Sequence, residues 1–162
     1  MAGKPLYLLD ENISYRFVVP FKALGYDMTS VEDVFPKEQL FLLGKKSAED
    51  PDIIEWLGTQ QTDYNLRGVW ITDDWEASKL HAKLILAHSI CVFWVCDPLN
   101  NALRAIQQLQ VLAMLIEHID DIFKTATSPK YLKGTIAGKK IKLWMLASHL
   151  MARKLEWKKV II

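Results

Sequence analysis

Residues 89–95 read SICVFWV, with one hydroxyl and no charge in seven positions. The run is too short for an amphipathic helix and too uniformly apolar for a strand with one face in water. It fits a strand buried on both faces, and such strands belong to parallel sheets covered by helices on each side. Leu6–Leu9 (LYLL) and Gly68–Thr72 (GVWIT) share this character, and Tyr26–Val31 is a further strand candidate.

The stretches between these runs have helical spacing. Apolar residues fall at Ile13, Phe17, Phe21 and Leu24, and Gly25 then stops the helix. Asp50-Pro51 reads as a helix start, with Asp as cap and Pro at the first helical position. Ile53, Ile54 and Leu57 follow, and Gly58 marks the end. Trp75–Ala87 reads as a helix. A long helix spans residues 98–123, with Leu103, Ile106, Leu109, Leu112, Leu115, Ile116 and Ile119 on or near one face. Residues 32–49 are irregular, with a short helix around Gln39–Leu43. Strands alternating with helices predict an α/β fold: a three-layer α-β-α sandwich with a mostly parallel central sheet. The tail is read more coarsely. Tyr131–Trp144, with Ala137-Gly138 in its middle, is a hairpin or two short strands, and Met145–Trp157 is expected to form a terminal amphipathic helix.

The chain has 162 residues, 51% hydrophobic and 24% charged, a balance that suits one globular domain and excludes disorder. Residues 1–5 are too short and polar for a signal peptide, and no apolar run is long enough to span a bilayer, so the expected location is the cytoplasm. Cys91 and Cys96 lie five apart in CVFWVC, which puts their side chains on opposite faces of a strand. Their spacing misses the common zinc patterns, and inert core thiols are expected. The charge is divided unevenly. Residues 1–123 carry 10 Lys/Arg against 18 Asp/Glu, and residues 124–162 carry 10 against Glu156 alone. The expected organisation is residues 1–123 as the main unit, with residues 124–162 as a basic extension packed on the same domain. The basic tail reads either as a solvated helix and turn or as a cationic surface beside an acidic centre.

In a parallel α/β sheet, ligands gather beyond the carboxyl ends of the strands. Asp10 lies just past the first strand. Asp73, Asp74 and Glu76 lie just past GVWIT, and Asp50 and Asp52 open the helix before that strand. Each acid has a structural reading as a helix cap or first-turn residue. Three acidic clusters at one sheet edge would repel one another without a cation between them, and an all-oxygen set suits a hard ion, Mg²⁺ or Mn²⁺.

Three stretches, LLDEN, DPDIIEWL and VWITDDWE, resemble in order and spacing the PIN-like domain, a metal-dependent ribonuclease fold common among the toxins of prokaryotic toxin–antitoxin pairs. The resemblance covers roughly residues 6–97. It implies hydrolysis of single-stranded RNA to 5′-phosphate and 3′-hydroxyl ends by an attacking water. It assigns Asp10, Asp52 and Asp74 as metal ligands and Glu76 as an outer-sphere or second-metal ligand. Thr72 would orient Asp74 or a water, with Glu11 and Asp73 in reserve. The implied partners are RNA, an antitoxin protein and a second copy of the chain, with no membrane. A receiver-like Mg²⁺-binding signalling domain also begins with a strand like LYLLDEN. That family places a lone acceptor Asp after its third strand and a Lys after its fifth, whereas here the third strand ends in a cluster and CVFWVCDP carries Asp97 but no Lys. A catalytically silent PIN-like binding module is the third reading.

Trp75, inside the acidic loop, reads either as a stacking platform for a base or as packing for its helix. Lys79 and Lys83 face phosphate or solvent. Lys130, Lys133, Lys139, Lys140 and Lys142 flank a turn, where RNA, an acidic antitoxin or solvent would account for them. Phe35, Leu40, Phe41, Leu42 and Leu43 form an apolar insert, either a core lid or a partner patch. The four histidines are read as surface or core residues.

Overall fold

The computed structural model describes residues 3–162; of residues 1–5, the first two lie outside it. The three apolar runs become strands β1 (Lys4–Leu9), β3 (Leu66–Thr72) and β4 (Cys91–Cys96), with β2 at Asp27–Ser30. Tyr131–Ala137 and Lys140–Leu146 form β5 and β6, and Trp157–Val160 forms β7. The helices are α1 (Val18–Ala23, after a 3-10 turn at Tyr15–Phe17), α2 (Val31–Val34), α3 (Lys37–Leu42), α4 (Asp50–Tyr64), α5 (Trp75–Leu80), α6 (Ala82–His88) and α7 (Ala105–Thr125).

One seven-stranded sheet runs in the order β2-β1-β3-β4-β5-β6-β7. The first five strands are parallel; β6 and β7 return antiparallel. Both faces are buried in the parallel half, as the unbroken apolar strands require. On one face Tyr7, Leu9, Val69, Ile71, Phe93 and Val95 pack against Phe17 and Phe21 before and within α1 and against the Leu112–Ile119 side of α7. On the other, Leu8, Trp70, Val92 and Trp94 pack against Ile53, Ile54 and Leu57 of α4 and Ala82 and Ile85 of α6.

These faces determine the hand of the crossovers. The chain steps outward from β1 to β2 through α1 on the first face. It steps the other way, from β2 to β3 and from β3 to β4, through α4 to α6 on the second face, so these three connections share one hand. From β4 to β5 it moves in the same direction as from β3 to β4, yet α7 lies on the first face. The β4–α7–β5 connection therefore has the opposite hand. Because right-handed crossovers are the strong rule, it is the left-handed one. Gly134 accommodates it: a Cβ there would stand 2.7 Å from Val111 Cγ1, 2.8 Å from Phe93 Cζ and 2.9 Å from Leu115 Cδ1, so only a bare Cα lets α7 lie this close to β5.

Four expectations need correction. The long helix begins at Ala105 rather than at residue 98, because residues 98–104 form a turn and loop before it. The segment Met145–Trp157 is not a helix. Strand β6 runs on to Leu146, a loop follows, and β7 returns to pair Trp157 with Leu146 and Val160 with Leu143. Strand pairing satisfies the β6 edge and drives Trp157 against Trp94, at 5.8 Å between ring centroids. Residues 75–87 form two helices that break at His81. Helix α4 passes through Gly58 to Tyr64; a Cβ at Gly58 would meet His88 Nδ1 at 2.5 Å, so this glycine serves close helix approach rather than termination. Leu132 and Ile136 of β5 and Leu143 of β6 belong to the core that α7 covers. Both cysteines are free and buried. No helix among the described residues is long and apolar enough to cross a membrane.

Candidate functional site

Connections leave β1 and β3 in opposite directions, so the crevice between their carboxyl ends is the switch point where open α/β sheets bind ligands. Asp10 and the loop 73–76 emerge there. The Asp10 N–H donates to Ile71 O at 2.9 Å, which keeps the two strands zipped one residue past the end of β1. Its side chain is 6% exposed. Oδ2 accepts the Thr72 hydroxyl at 2.6 Å, and Oδ1 accepts the Glu11 N–H at 2.8 Å. The same Thr72 oxygen accepts the Asp74 N–H at 3.0 Å. Thr72 thus ties the acid of β1 to the acidic loop of β3.

Asp73 is buried from the other side. Its Oδ2 accepts Gln108 Nε2 at 3.0 Å, and that amide also donates to Asn12 O at 2.9 Å and to Leu103 O at 3.3 Å. Gln108 sits in the first turn of α7, so the unusual placement of that helix brings its amide to the switch point. Asp74 caps α5, accepting the Ala77 N–H at 3.0 Å. Glu76 is exposed and lines, with Asp73, Asp74, Trp75 and Asn101, an open cleft of about 490 Å³.

Asp52 is engaged elsewhere: its Oδ2 accepts the Glu49 N–H and the Lys45 ammonium, each at 3.1 Å. The residue turned toward the centre is Asp50, whose carboxylate lies 3.8 Å from His81 Nε2 and close enough to Asp10 to repel its charge. Of the expected set, Asp10, Thr72 and Asp74 are therefore joined by hydrogen bonds, Glu76 stands on the rim, and Asp52 belongs to the start of α4.

Electrostatics mark the same centre. Burial pushes the Asp10 carboxyl up to about 6 against the opposing pull of the Thr72 and Glu11 hydrogen bonds, with Asp50 and Glu11 adding repulsion. Asp73 is also raised to about 6, by burial first, with Gln108 opposing and Asp74 adding to the shift. Burial raises Asp50, which His81 counters and Asp74 reinforces. Asp52 goes the other way, because the Glu49 N–H and Lys45 outweigh its slight burial.

The donors are all oxygen, which suits Mg²⁺ or Mn²⁺ rather than a softer ion. Each carboxylate oxygen has a second lone pair beyond the bonds described, so Asp10, Asp73 and Asp74 retain capacity to hold a hard cation. As arranged, no three Asp, Glu, His or Cys side chains among the described residues are gathered closely enough to hold an ion. Comparison with protein-family models, curated proteins and solved structures finds no match.

Sequence reasoning missed Gln108 and Asn12 as parts of this centre, and it named Asp50 in the acidic cluster but gave the ligand role to Asp52. Gln108 left one signal, a polar residue on the face of a long helix otherwise defined by Leu and Ile. Trp75 mainly packs, against Trp94 at 5.2 Å and Trp157 at 5.8 Å, while one edge lines the cleft. In the insert Leu40 is buried, whereas Phe41 and Leu42 are 82% and 83% exposed.

Proposed function

We propose that this chain is a Mg²⁺- or Mn²⁺-dependent endoribonuclease of the PIN-like type, acting as the toxin of a toxin–antitoxin pair. The observation that supports the reading is the buried Asp10 hydrogen-bonded to Thr72, which in turn holds Asp74, at the switch point of the sheet. Burial holds the Asp10 and Asp73 carboxyls up at about 6, with Asp50 adding repulsion at the first and Asp74 at the second, and a divalent cation would remove that cost. Asp10 anchors the centre from β1, Asp73 and Asp74 from β3, and Asp50 takes the part first given to Asp52. Glu76 on the rim meets solvent-borne cation or substrate. A bound divalent ion supplies charge neutralisation for a phosphodiester and acidifies a water. Thr72 and Gln108 fix the carboxylates so that little reorganisation is needed when substrate arrives.

The test is cleavage of single-stranded RNA with Mn²⁺, in wild type and in Asp10→Asn and Asp73→Asn, alongside calorimetric titration of Mn²⁺. Loss of cleavage and of Mn²⁺ heat in both variants is expected. Unchanged cleavage in both would remove the reading. Asp50→Asn should weaken Mn²⁺ binding more than Asp52→Asn does.

A receiver-like domain is the second reading, favoured by the β2-β1-β3-β4-β5 order, which doubly wound signalling domains share, and by buried Lys133 on β5. The placement of α7 on the β1 face departs from that wrapping. Stable phosphorylation of Asp73 by a small phosphoryl donor would favour this alternative.

A further inference from the structure

The helices α4 to α6 cover one face of the sheet only as far as β4; beyond it Leu150, from the loop after β6, packs at the Tyr131–Leu146 end, and no helix covers the rest of that face. Strand register places Lys133 opposite Trp144, Thr135 opposite Lys142 and Ala137 opposite Lys140, so these side chains share the open face. Trp157 joins them from β7 through its pairing with Leu146. Together they line a pocket of about 270 Å³. Lys133 is 7% exposed, yet none of the ion pairs among the described residues involves it. Its ammonium lies 4.4 Å from the ring centre of Trp157 and 5.4 Å from that of Trp75, and it donates to Asn100 Oδ1 at 3.3 Å. A buried cation without a counter-ion is costly, and an anion entering the pocket would supply one. Lys140 and Lys142 are exposed, also lack ion-pair partners, and sit two residues apart on one strand, about 7 Å.

We propose that this open β5–β6–β7 face binds single-stranded RNA, its phosphates at Lys133, Lys140 and Lys142 and a base stacked on Trp144 or Trp157. Unpaired ammonium groups alternating with half-buried indoles match both parts of a nucleotide, whereas an acidic peptide would use only the charges. The face adjoins the acidic cleft directly. Asn100 lines the cleft and bonds Lys133, and Trp75 borders the cleft while stacking near Trp157. A strand held on the basic face is thereby led to Asp73 and Asp74. This route rests on the ribonuclease reading; the binding itself does not.

The experiment uses the full chain in EDTA, with a fluorescent ten-nucleotide single-stranded RNA followed by anisotropy. The Lys140→Ala/Lys142→Ala double variant should bind at least tenfold more weakly, with the salt slope smaller by about 1.4 for two lost phosphate contacts. Trp144→Leu should weaken binding about fivefold or more at unchanged salt slope. Thermal melts confirm that each variant is folded. Wild-type affinity in both basic-face variants, or a polyglutamate peptide binding more tightly than RNA with the same dependence on Trp144, would overturn the proposal, the latter in favour of an acidic protein. If RNA binds through this face but wild type shows no Mn²⁺-dependent cleavage, the cleft reading fails and the face stands. If cleavage occurs with KM unmoved by the basic-face variants, the face fails and the cleft stands.

Discussion

Replacing Asp10 with Asn should make the metal-free protein more stable at pH 8 and about 1 kcal/mol less stable at pH 4. In the fold this carboxyl ionises near 6, against an ordinary value of 3.8. The folded state thus holds a proton that the unfolded chain has released across that window. Stability is fully present below about pH 4, falls as pH rises through 6, and stays lowered above it. At about 1.4 kcal/mol per pH unit, the gap amounts to about 3 kcal/mol at pH 8. Asparagine carries no charge to desolvate. Its carbonyl oxygen still accepts the Glu11 N–H, and its amide faces the Thr72 hydroxyl, which must turn to accept; a rearranged bond costs about 1 kcal/mol. The net gain is about 2 kcal/mol, or about 5 °C in Tm for a chain of this size. Urea unfolding of both proteins in EDTA, from pH 4 to pH 8, isolates the residue by difference. A variant less stable than wild type at pH 8, or a difference independent of pH, would refute the picture of Asp10 as a desolvated charge held by two hydrogen bonds.

A saturating divalent ion should reverse the sign: at pH 8, Mn²⁺ at about 100 times its Kd stabilises wild type by about 2.7 kcal/mol, and the gain should vanish in Asp10→Asn when both are melted with and without the metal. Gln108→Ala removes the donor shared by Asp73, Asn12 and Leu103, and should cost about 1–3 kcal/mol in urea unfolding while shifting the pH dependence attributed to Asp73 upward. Gly134→Ala pushes a methyl into Val111, Phe93 and Leu115, and should cost about 1–3 kcal/mol with a matching fall in Tm. Asp52→Ala breaks the bonds to Glu49 and Lys45 at the start of α4, and should cost about 1 kcal/mol of stability while leaving Mn²⁺ heat unchanged.

The local pattern of residues was enough to determine the fold class. Uniformly apolar runs at LYLL, GVWIT and CVFWV can only be satisfied between two helical layers, and the intervening spacing names those helices. It also placed Asp10, Thr72 and Asp74 together, because residues just past parallel strands must share one edge. Chain pattern alone left three things undecided. Asp50 and Asp52 are both first-turn acids, and only the approach of Lys45 and His81 separates the one that faces the centre from the one that does not. Gln108 reaches Asp73 only because α7 crosses to the β1 face with the opposite hand, a packing outcome that no local spacing encodes. Residues 145–157 have helical spacing, yet the free edge of β6 and the indole surface of Trp94 draw the chain end back as a strand, because pairing an exposed sheet edge outweighs weak local propensity. Sequence pattern determines which surfaces must be buried; the tertiary structure decides which partner buries them, and with that which charges meet.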